Sequence, residues 1–509
     1  MNLSDWILRQ AGFTPDKPAI RFEGEEISYA ALLARIEAAA WALKHELGVL
    51  AGDRVAHLGL NRPEMLILLF ACARMGAIFT PMNWRLAPPE HAFILGHSGA
   101  SVLIADSEFV GHVEEIGTIV QDMPLASIGA PSAGWQDWNV LVDSAQSRDE
   151  SEGSYDDPVL LVYTSGTTGR PKGALLTQSN LFWNAINSTH MHDLTGSDHV
   201  LTTIPLFHVG GMNIQTLPCL HAGGTVTLHA RFDPVETLAA IAEDRPSLTV
   251  LVPAQMSALM SLPDWDTADL SSLRFVTTGS MIVPVPLIEK FHDRGLPMVQ
   301  IYGSTETAPV VVYQTRADAE RKLGSTGRAG LHSELRLVDK QYNDVPTGTR
   351  GEILIRGPQV MREYWGDPAA TAEALRDGWY YSGDIGHLDE EGWLYVDERK
   401  KDVIISGGEN IYPAELEAVL AECKEIAEAA VVARADEQWG EIPVATIVLR
   451  KAGAMDREAV LALFEGRIAR FKHPRDVLFM EALPRNAMGK VQKYRLREIL
   501  VEASENLSI

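Results

Sequence analysis

The run Val159-Leu160-Leu161-Val162 leading into Tyr163-Thr164-Ser165-Gly166-Thr167-Thr168-Gly169-Arg170-Pro171-Lys172-Gly173 decides how the rest of the chain is read. Its first four residues are short, apolar and branched, the texture of a buried strand. The segment from Tyr163 to Gly173 carries three glycines, four Thr and Ser hydroxyls and one lysine. Glycine lets backbone N–H groups converge, and the hydroxyls and the ammonium add donors, so a strand ending in this loop is predicted to wrap a polyphosphate. The Walker A pattern ends in Gly-Lys-Ser/Thr, whereas Lys172 stands between Pro171 and Gly173, a poor match to a P-loop nucleotidase. A plain flexible surface loop is the competing reading of such a run.

Around this loop, from Asp53 to about Ser304, apolar runs alternate with helical patterns: Val55 to Leu60, Pro63 to Met75, Ser101 to Ala105, Leu201 to Pro205, Thr225 to Leu228, Leu248 to Val252, Phe275 to Thr278 and Met298 to Tyr302. Such alternation predicts an α/β lobe with buried, largely parallel sheets. Past Leu331 the runs Glu334 to Val338, Gly351 to Ile355, Trp379 to Ile385 and Trp393 to Val396 are separated by Asp and Gly turns, which predicts a small antiparallel β subdomain. After Ser406-Gly407-Gly408 come a helix Pro413 to Glu422, strands near 428–433 and 442–449, a helix near 456–471 and a strand near 476–480, an α+β module. The expected division is a large domain over 1–400 and a small one over 401–509.

The 509 residues are 46% hydrophobic and 22% charged, as in ordinary globular proteins. A net charge of −24 argues against bulk nucleic-acid binding, which needs a basic surface, and against adhesion to anionic lipid. Any phosphate must therefore be held locally. Cys72, Cys219 and Cys423 are too scattered for a disulfide framework or a zinc site, so a cytoplasmic setting is expected. Met1 to Gly12 lacks the pattern of a secretory signal. The most apolar stretch, Met65 to Phe79, is interrupted by Arg74 and falls short of the roughly 20 residues that span a bilayer; it is expected to be a core helix, with no integral membrane segment.

Other segments line up with the loop in a characteristic order. They are Tyr302-Gly303-Ser304-Thr305-Glu306-Thr307, Tyr381-Ser382-Gly383-Asp384, Glu398-Arg399-Lys400-Lys401-Asp402 before Ser406-Gly407-Gly408-Glu409-Asn410, and Pro484-Arg485-Asn486-Ala487-Met488-Gly489-Lys490. Together with the Thr164–Lys172 string they resemble the motifs of the adenylate-forming acyl-CoA synthetase superfamily over roughly Pro18 to Arg497, and are most similar to single-chain fatty-acyl and aryl CoA ligases. The resemblance implies attack of a carboxylate on the α-phosphate of Mg-ATP, giving acyl-adenylate and pyrophosphate, followed by displacement of AMP by the CoA thiol. It also implies a mobile C-terminal domain, and a homodimer is compatible with it.

Each role that the resemblance implies draws on what the residue type is able to do. Thr164, Ser165, Gly166, Thr167, Thr168 and Lys172 would meet charge growing on the leaving pyrophosphate. Glu306 would hold Mg²⁺, a hard cation that prefers carboxylate oxygen, and Thr305 would bond the α-phosphate; the bland alternative for Ser-Thr-Glu is a helix N-cap. Tyr302, beside Gly303, would lie against adenine, and Asp384, with Arg399, would accept from the ribose hydroxyls, where a lone Asp would otherwise be a turn former. Lys490 would bridge the carboxylate and the α-phosphate, and Lys401 would mark a hinge. Gly407 and Gly408 would leave room for pantetheine, and Arg85, Trp439, Phe471, Lys472 and Arg475 are candidates for the CoA nucleotide.

The acyl pocket is expected along Pro205 to Met212 and Thr278 to Met281, with His208 as a gate and Gly279 and Ser280 at the mouth. Trp183, Asn184 and Val310 are candidate walls, and Gly210 and Gly211 are expected to open space for a fatty chain or an aromatic ring, between which the sequence does not choose. Loading of a carrier-protein thiol is the nearest rival, disfavoured because no Asp-Ser-Leu-like attachment site comes after Lys490. A hydrolase or thioesterase is disfavoured because no Gly-x-Ser-x-Gly elbow occurs.

Overall fold

The computed structural model describes residues 1–509 apart from 131, 147, 148, 165–170, 407, 408, 437, 438, 466, 469, 487, 488 and 507–509, and apart from the side chains of 409, 410, 471 and 503–506. The alternation of apolar runs and helices produces two large sheets, each parallel at its centre. In the first, Ile78–Met82, Arg54–Leu58, Val102–Asp106 and Leu125–Ile128 run parallel. Pro158–Thr164 joins this group parallel to Ile78–Met82 and then pairs antiparallel with Lys172–Thr177, whose other edge takes Glu363–Tyr364. In the second, Met298–Tyr302, Phe275–Thr278, Leu248–Val250, His199–Thr202, Thr225–Leu228 and Pro18–Phe22 are successive parallel neighbours. Apart from Pro18–Phe22, where Pro18, Arg21 and Phe22 stay partly exposed, these strands are largely buried, as parallel sheets covered by helices require.

A smaller antiparallel sheet comes next, built from Glu334–Val338, Gly351–Arg356, Trp379–Leu388, Leu375–Arg376 and Leu394–Arg399, as the turn-punctuated pattern predicts. The last part of the chain forms another sheet, with Gly440–Leu449 between Ile426–Asp436 and Asp476–Phe479. Leu416, Val419 and Leu420 of the helix Pro413–Ala421 are buried in its core, on the face their spacing predicts. By internal packing the chain divides into two compact units, one of Met1–Leu335 with Leu354–Tyr381, the other of Arg336–Ile353 with Ser382–Ile509. Among the described residues no helix is long and apolar enough to cross a membrane.

Three elements differ from expectation. The apolar stretch Met65 to Phe79 is not one helix: Pro63–Met75 is helical, Gly76 ends it with φ 74° in the left-handed region, and Ile78–Met82 is a strand. A continuous apolar run has no periodicity that separates buried helix from buried strand, and only the glycine marks the break. The helix placed near 456–471 is confined to Arg457–Ala462. A terminal helix, Lys493–Asn506, is an addition to the expected elements; Leu496 and Leu500, one turn apart, bury its inner face.

Candidate active site

The two strands of the phosphate-loop hairpin, Pro158–Thr164 and Lys172–Thr177, face each other with Thr164 opposite Lys172 and Tyr163 opposite Gly173. Lys172 thus begins a strand, with its carbonyl 3.4 Å from the Thr164 Oγ1 that donates to it. Ser165, Gly166, Thr167 and Thr168 lie outside the described residues. A strand stands on each side of this segment, where a Walker A segment would lead into a helix. The Lys172 ammonium lies 5.1 Å from the centre of the Tyr364 ring, within range of a cation–π contact.

Tyr364 also touches the predicted metal residue. The strand Met298–Tyr302 leaves half-buried Tyr302 at its end, then turns through Gly303 into one 3₁₀ turn, Thr305–Thr307. A Cβ on Gly303 would lie 1.7 Å from the Pro309 carbonyl oxygen, so no other residue fits this turn without moving the backbone. Instead of capping a long helix, the Ser304 N–H donates to Thr307 Oγ1 at 2.9 Å, and the buried Ser304 Oγ has no partner among the described residues. Thr305 and Glu306 are both buried. The Tyr364 hydroxyl donates to Glu306 Oε1 at 2.7 Å, and the Met361 N–H donates to the Glu306 carbonyl at 2.7 Å.

These residues fit a magnesium ion that arrives with ATP. Mg²⁺ is commonly held by one or two carboxylates plus phosphate oxygens and water. Glu306 is a buried carboxylate with no ion pair among the described residues, two positions after Ser304, whose hydroxyl is orphaned among them. No described cluster of three or more His, Cys, Asp or Glu offers an all-protein cage instead.

His208 stands at the start of a short helical turn, Val209–Gly211, that runs on into the π-helix Met212–Thr216. Its Nδ1 accepts the Gly210 N–H at 3.0 Å. Burial pushes its pKa down to about 4, against an opposing pull from the Glu306 carboxylate, so the ring is neutral with its proton on Nε2 at ordinary pH. The segment before it is held by Asn61, which accepts from the Leu206 N–H at 2.7 Å and donates to the carbonyls of Ile204 and His229 at 3.0 and 3.1 Å. Nothing in the sequence distinguishes Asn61 from an ordinary loop asparagine.

The expectation about Gly211 needs correction. A Cβ on Gly211 would lie 2.3 Å from the Pro205 carbonyl oxygen and 2.6 Å from that of Ile204, so the absence of a side chain here serves a close backbone approach. Asn184 is likewise a brace, because its Oδ1 accepts from Val310 N–H at 2.8 Å and its Nδ2 donates to the Asn213 carbonyl at 2.7 Å. Val310 is fully buried, while half-buried Trp183 packs on His332 with ring centres 4.7 Å apart. Gly279 is buried after the strand Phe275–Thr278, and Ser280 is exposed with φ 70°.

In the other unit, Asp384 and Arg399 are paired across the strands Trp379–Leu388 and Leu394–Arg399, with Arg399 Nε 2.7 Å from Asp384 Oδ1. Asp384 is buried, and its N–H donates to Ser382 Oγ at 3.0 Å. Lys490 is presented by a turn in which Asn486 N–H donates to the Lys490 carbonyl at 2.8 Å and Lys490 N–H donates to Asn486 Oδ1 at 2.9 Å. Burial, then the Arg399 guanidinium, lower its pKa, while Asp384 and Asp402 pull the other way. Within this unit the structure therefore brings Lys490, Asp384 and Arg399 into one electrostatic cluster. Lys401 sits in the 3₁₀ turn Lys400–Asp402.

The candidates for the CoA nucleotide are less unified. Arg475 lies 5.1 Å from the exposed Trp439 ring, but Lys472 is paired with Glu415 at 2.6 Å, and Arg85 lies 4.6 Å from the Trp84 ring. Gly407, Gly408 and the Phe471 side chain lie outside the described residues.

Comparison with known proteins accords with this geometry. The family model described as AMP-binding enzyme matches residues 7–365, and that of the AMP-binding enzyme C-terminal domain matches 415–490. Indoleacetate–CoA ligase of Aromatoleum aromaticum is 52% identical over 503 residues, 98% of each chain. Feruloyl-CoA synthase of an Amycolatopsis species is 41% identical, covering 97% of this chain and 98% of that one. The o-succinylbenzoate CoA synthetase of Bacillus subtilis, solved with ATP and magnesium, superposes with a TM-score of 0.87 at 32% identity, covering 97% of this chain and 99% of that one. With both of its parts matched and its relatives aligned from end to end, the chain belongs to the AMP-binding enzyme family, within the adenylate-forming acyl-CoA synthetases.

Proposed function

We propose that this protein is an AMP-forming acid–CoA ligase that activates an aryl carboxylic acid as its acyl-adenylate and passes the acyl group to CoA. The observation that carries the adenylation reading is the linkage of Lys172, Tyr364 and Glu306 beside a phosphate-loop hairpin, with His208 electrostatically coupled to Glu306. The aryl reading is supported by relatives whose names specify indoleacetate and ferulate. The protein is expected to work in the cytoplasm, where ATP and CoA are abundant.

In this reading Thr164 and Lys172 hold the β- and γ-phosphates, and Thr305 bonds the α-phosphate. Bound at Glu306, Mg²⁺ supplies Lewis-acid charge for the phosphate oxygens. Asp384 and Arg399 orient the ribose, and Lys490 offsets negative charge that accumulates between the carboxylate and the α-phosphate. Neutral His208 donates from Nε2 toward the reacting carboxylate, and Trp439 with Arg475 takes the CoA nucleotide. Acid-dependent ATP–pyrophosphate exchange without CoA tests the first half of this scheme. Exchange stimulated by indoleacetate or hydroxycinnamates is expected; exchange that ignores added aryl acids overturns the substrate class.

A further inference from the structure

We infer that Tyr364 is a positioning residue that ties the metal-holding carboxylate to the phosphate-binding lysine, so that both ends of the ATP triphosphate are met by one rigid element. The inference rests on the proposed roles of Glu306 and Lys172 and adds a residue to that site. Tyr364 touches both: its hydroxyl donates to Glu306 Oε1 at 2.7 Å, and its ring centre is 5.1 Å from the Lys172 ammonium. A carboxylate held by one oxygen keeps one orientation and presents the other oxygen to a cation, as partners of ligating carboxylates do elsewhere.

The backbone makes this link stiff. Tyr364 pairs with Ala174, two residues past Lys172, and the Trp365 N–H donates to the Gly173 carbonyl at 2.7 Å. Met361, three residues earlier, donates its N–H to the Glu306 carbonyl at 2.7 Å. The Tyr364 N–H donates to Thr371 Oγ1 at 3.0 Å, anchoring the segment from the far side. The stretch Met361 to Trp365 is thus stitched to the turn that carries Glu306 and to the strand that begins with Lys172.

The two contacts can be removed separately. Tyr364→Phe deletes the hydroxyl and keeps the ring; Tyr364→Ala deletes both. ATP binding is measured by calorimetry in EDTA and again across a Mg²⁺ titration, and acid-dependent pyrophosphate exchange is followed over the same titration. Tyr364→Phe is expected to bind metal-free ATP within about 2-fold of the parent while needing about 5-fold or more Mg²⁺ for half-maximal exchange. Tyr364→Ala is expected to weaken metal-free ATP binding by about 2-fold or more as well. An unchanged Mg²⁺ titration in Tyr364→Phe overturns the inference, as does loss of metal-free binding equal to that of Tyr364→Ala, which would assign the residue to folding alone. Glu306→Gln separates the failures: if it too leaves the Mg²⁺ titration unchanged, the metal reading falls, whereas a shift in Glu306→Gln alone removes only the role of Tyr364.

Discussion

Replacing each glycine of the pair after His208 should have opposite consequences. In Gly211→Ala the new Cβ would lie 2.3 Å from the Pro205 carbonyl oxygen, where real Cβ atoms essentially never come within 3.0 Å, and 2.6 Å from that of Ile204. Both obstacles are backbone, so the chain itself must retreat. Overpacking of this kind costs about 1–3 kcal/mol, roughly a 5- to 150-fold shift in the folding equilibrium. In Gly210→Ala the nearest atom is His208 Nδ1 at 3.1 Å, with Ile214 Cδ1 at 3.9 Å, and a side chain can give way. Urea unfolding and kcat/KM over a series from propionate to aryl acids separate the two variants. Gly211→Ala should lose stability and leave the ratios between acids unchanged, whereas Gly210→Ala should keep its stability within about 1 kcal/mol and lower adenylation through the displaced imidazole. A Gly211→Ala protein as stable as the parent that selectively rejects bulky acids would refute this account of the glycine.

Lys490→Ala should cut acyl-adenylate formation by about 10²-fold or more, the scale of one preorganised charge contact, while thioester formation from supplied acyl-AMP largely survives; parallel assays of the two half-reactions check it, and equal losses would sink the separate role. Lys401→Pro fixes φ within the turn Lys400–Asp402 and should spare adenylation while blocking thioester formation, read as acyl-AMP accumulating in the presence of CoA. His192 is fully buried with its pKa pushed down to about 4, so the unfolded chain, with an imidazole near 6.5, takes up the proton first on acidification. Its contribution is complete above about pH 6.5 and is lost as pH falls towards about 4, so unfolding free energies measured between those limits should fall less steeply in His192→Gln.

Motif residues are legible in proportion to how local their constraint is. The strand that leads into the phosphate loop and the strand that ends in Tyr302 emerge from short apolar runs closed by turn residues, whereas only the family resemblance, and no periodicity, brings Asp384 and Arg399 together. Tyr364 is not legible, because its two partners, Glu306 and Lys172, lie 58 and 192 residues away and meet it only after the sheet has formed. Asn61 is hidden for the same reason, since it holds carbonyls at Ile204 and His229. Gly211 misleads because a glycine that makes room for a ligand and one that admits a neighbouring backbone look the same in sequence.

The central claim is tested most directly by mass-spectrometric product analysis after incubation of the protein with Mg-ATP, CoA and an aryl acid such as indoleacetate or ferulate. The account predicts aryl-CoA, AMP and pyrophosphate in equal amounts, with aryl-AMP appearing when CoA is withheld. Release of ADP and phosphate, or aryl-AMP that never passes to CoA, would contradict it.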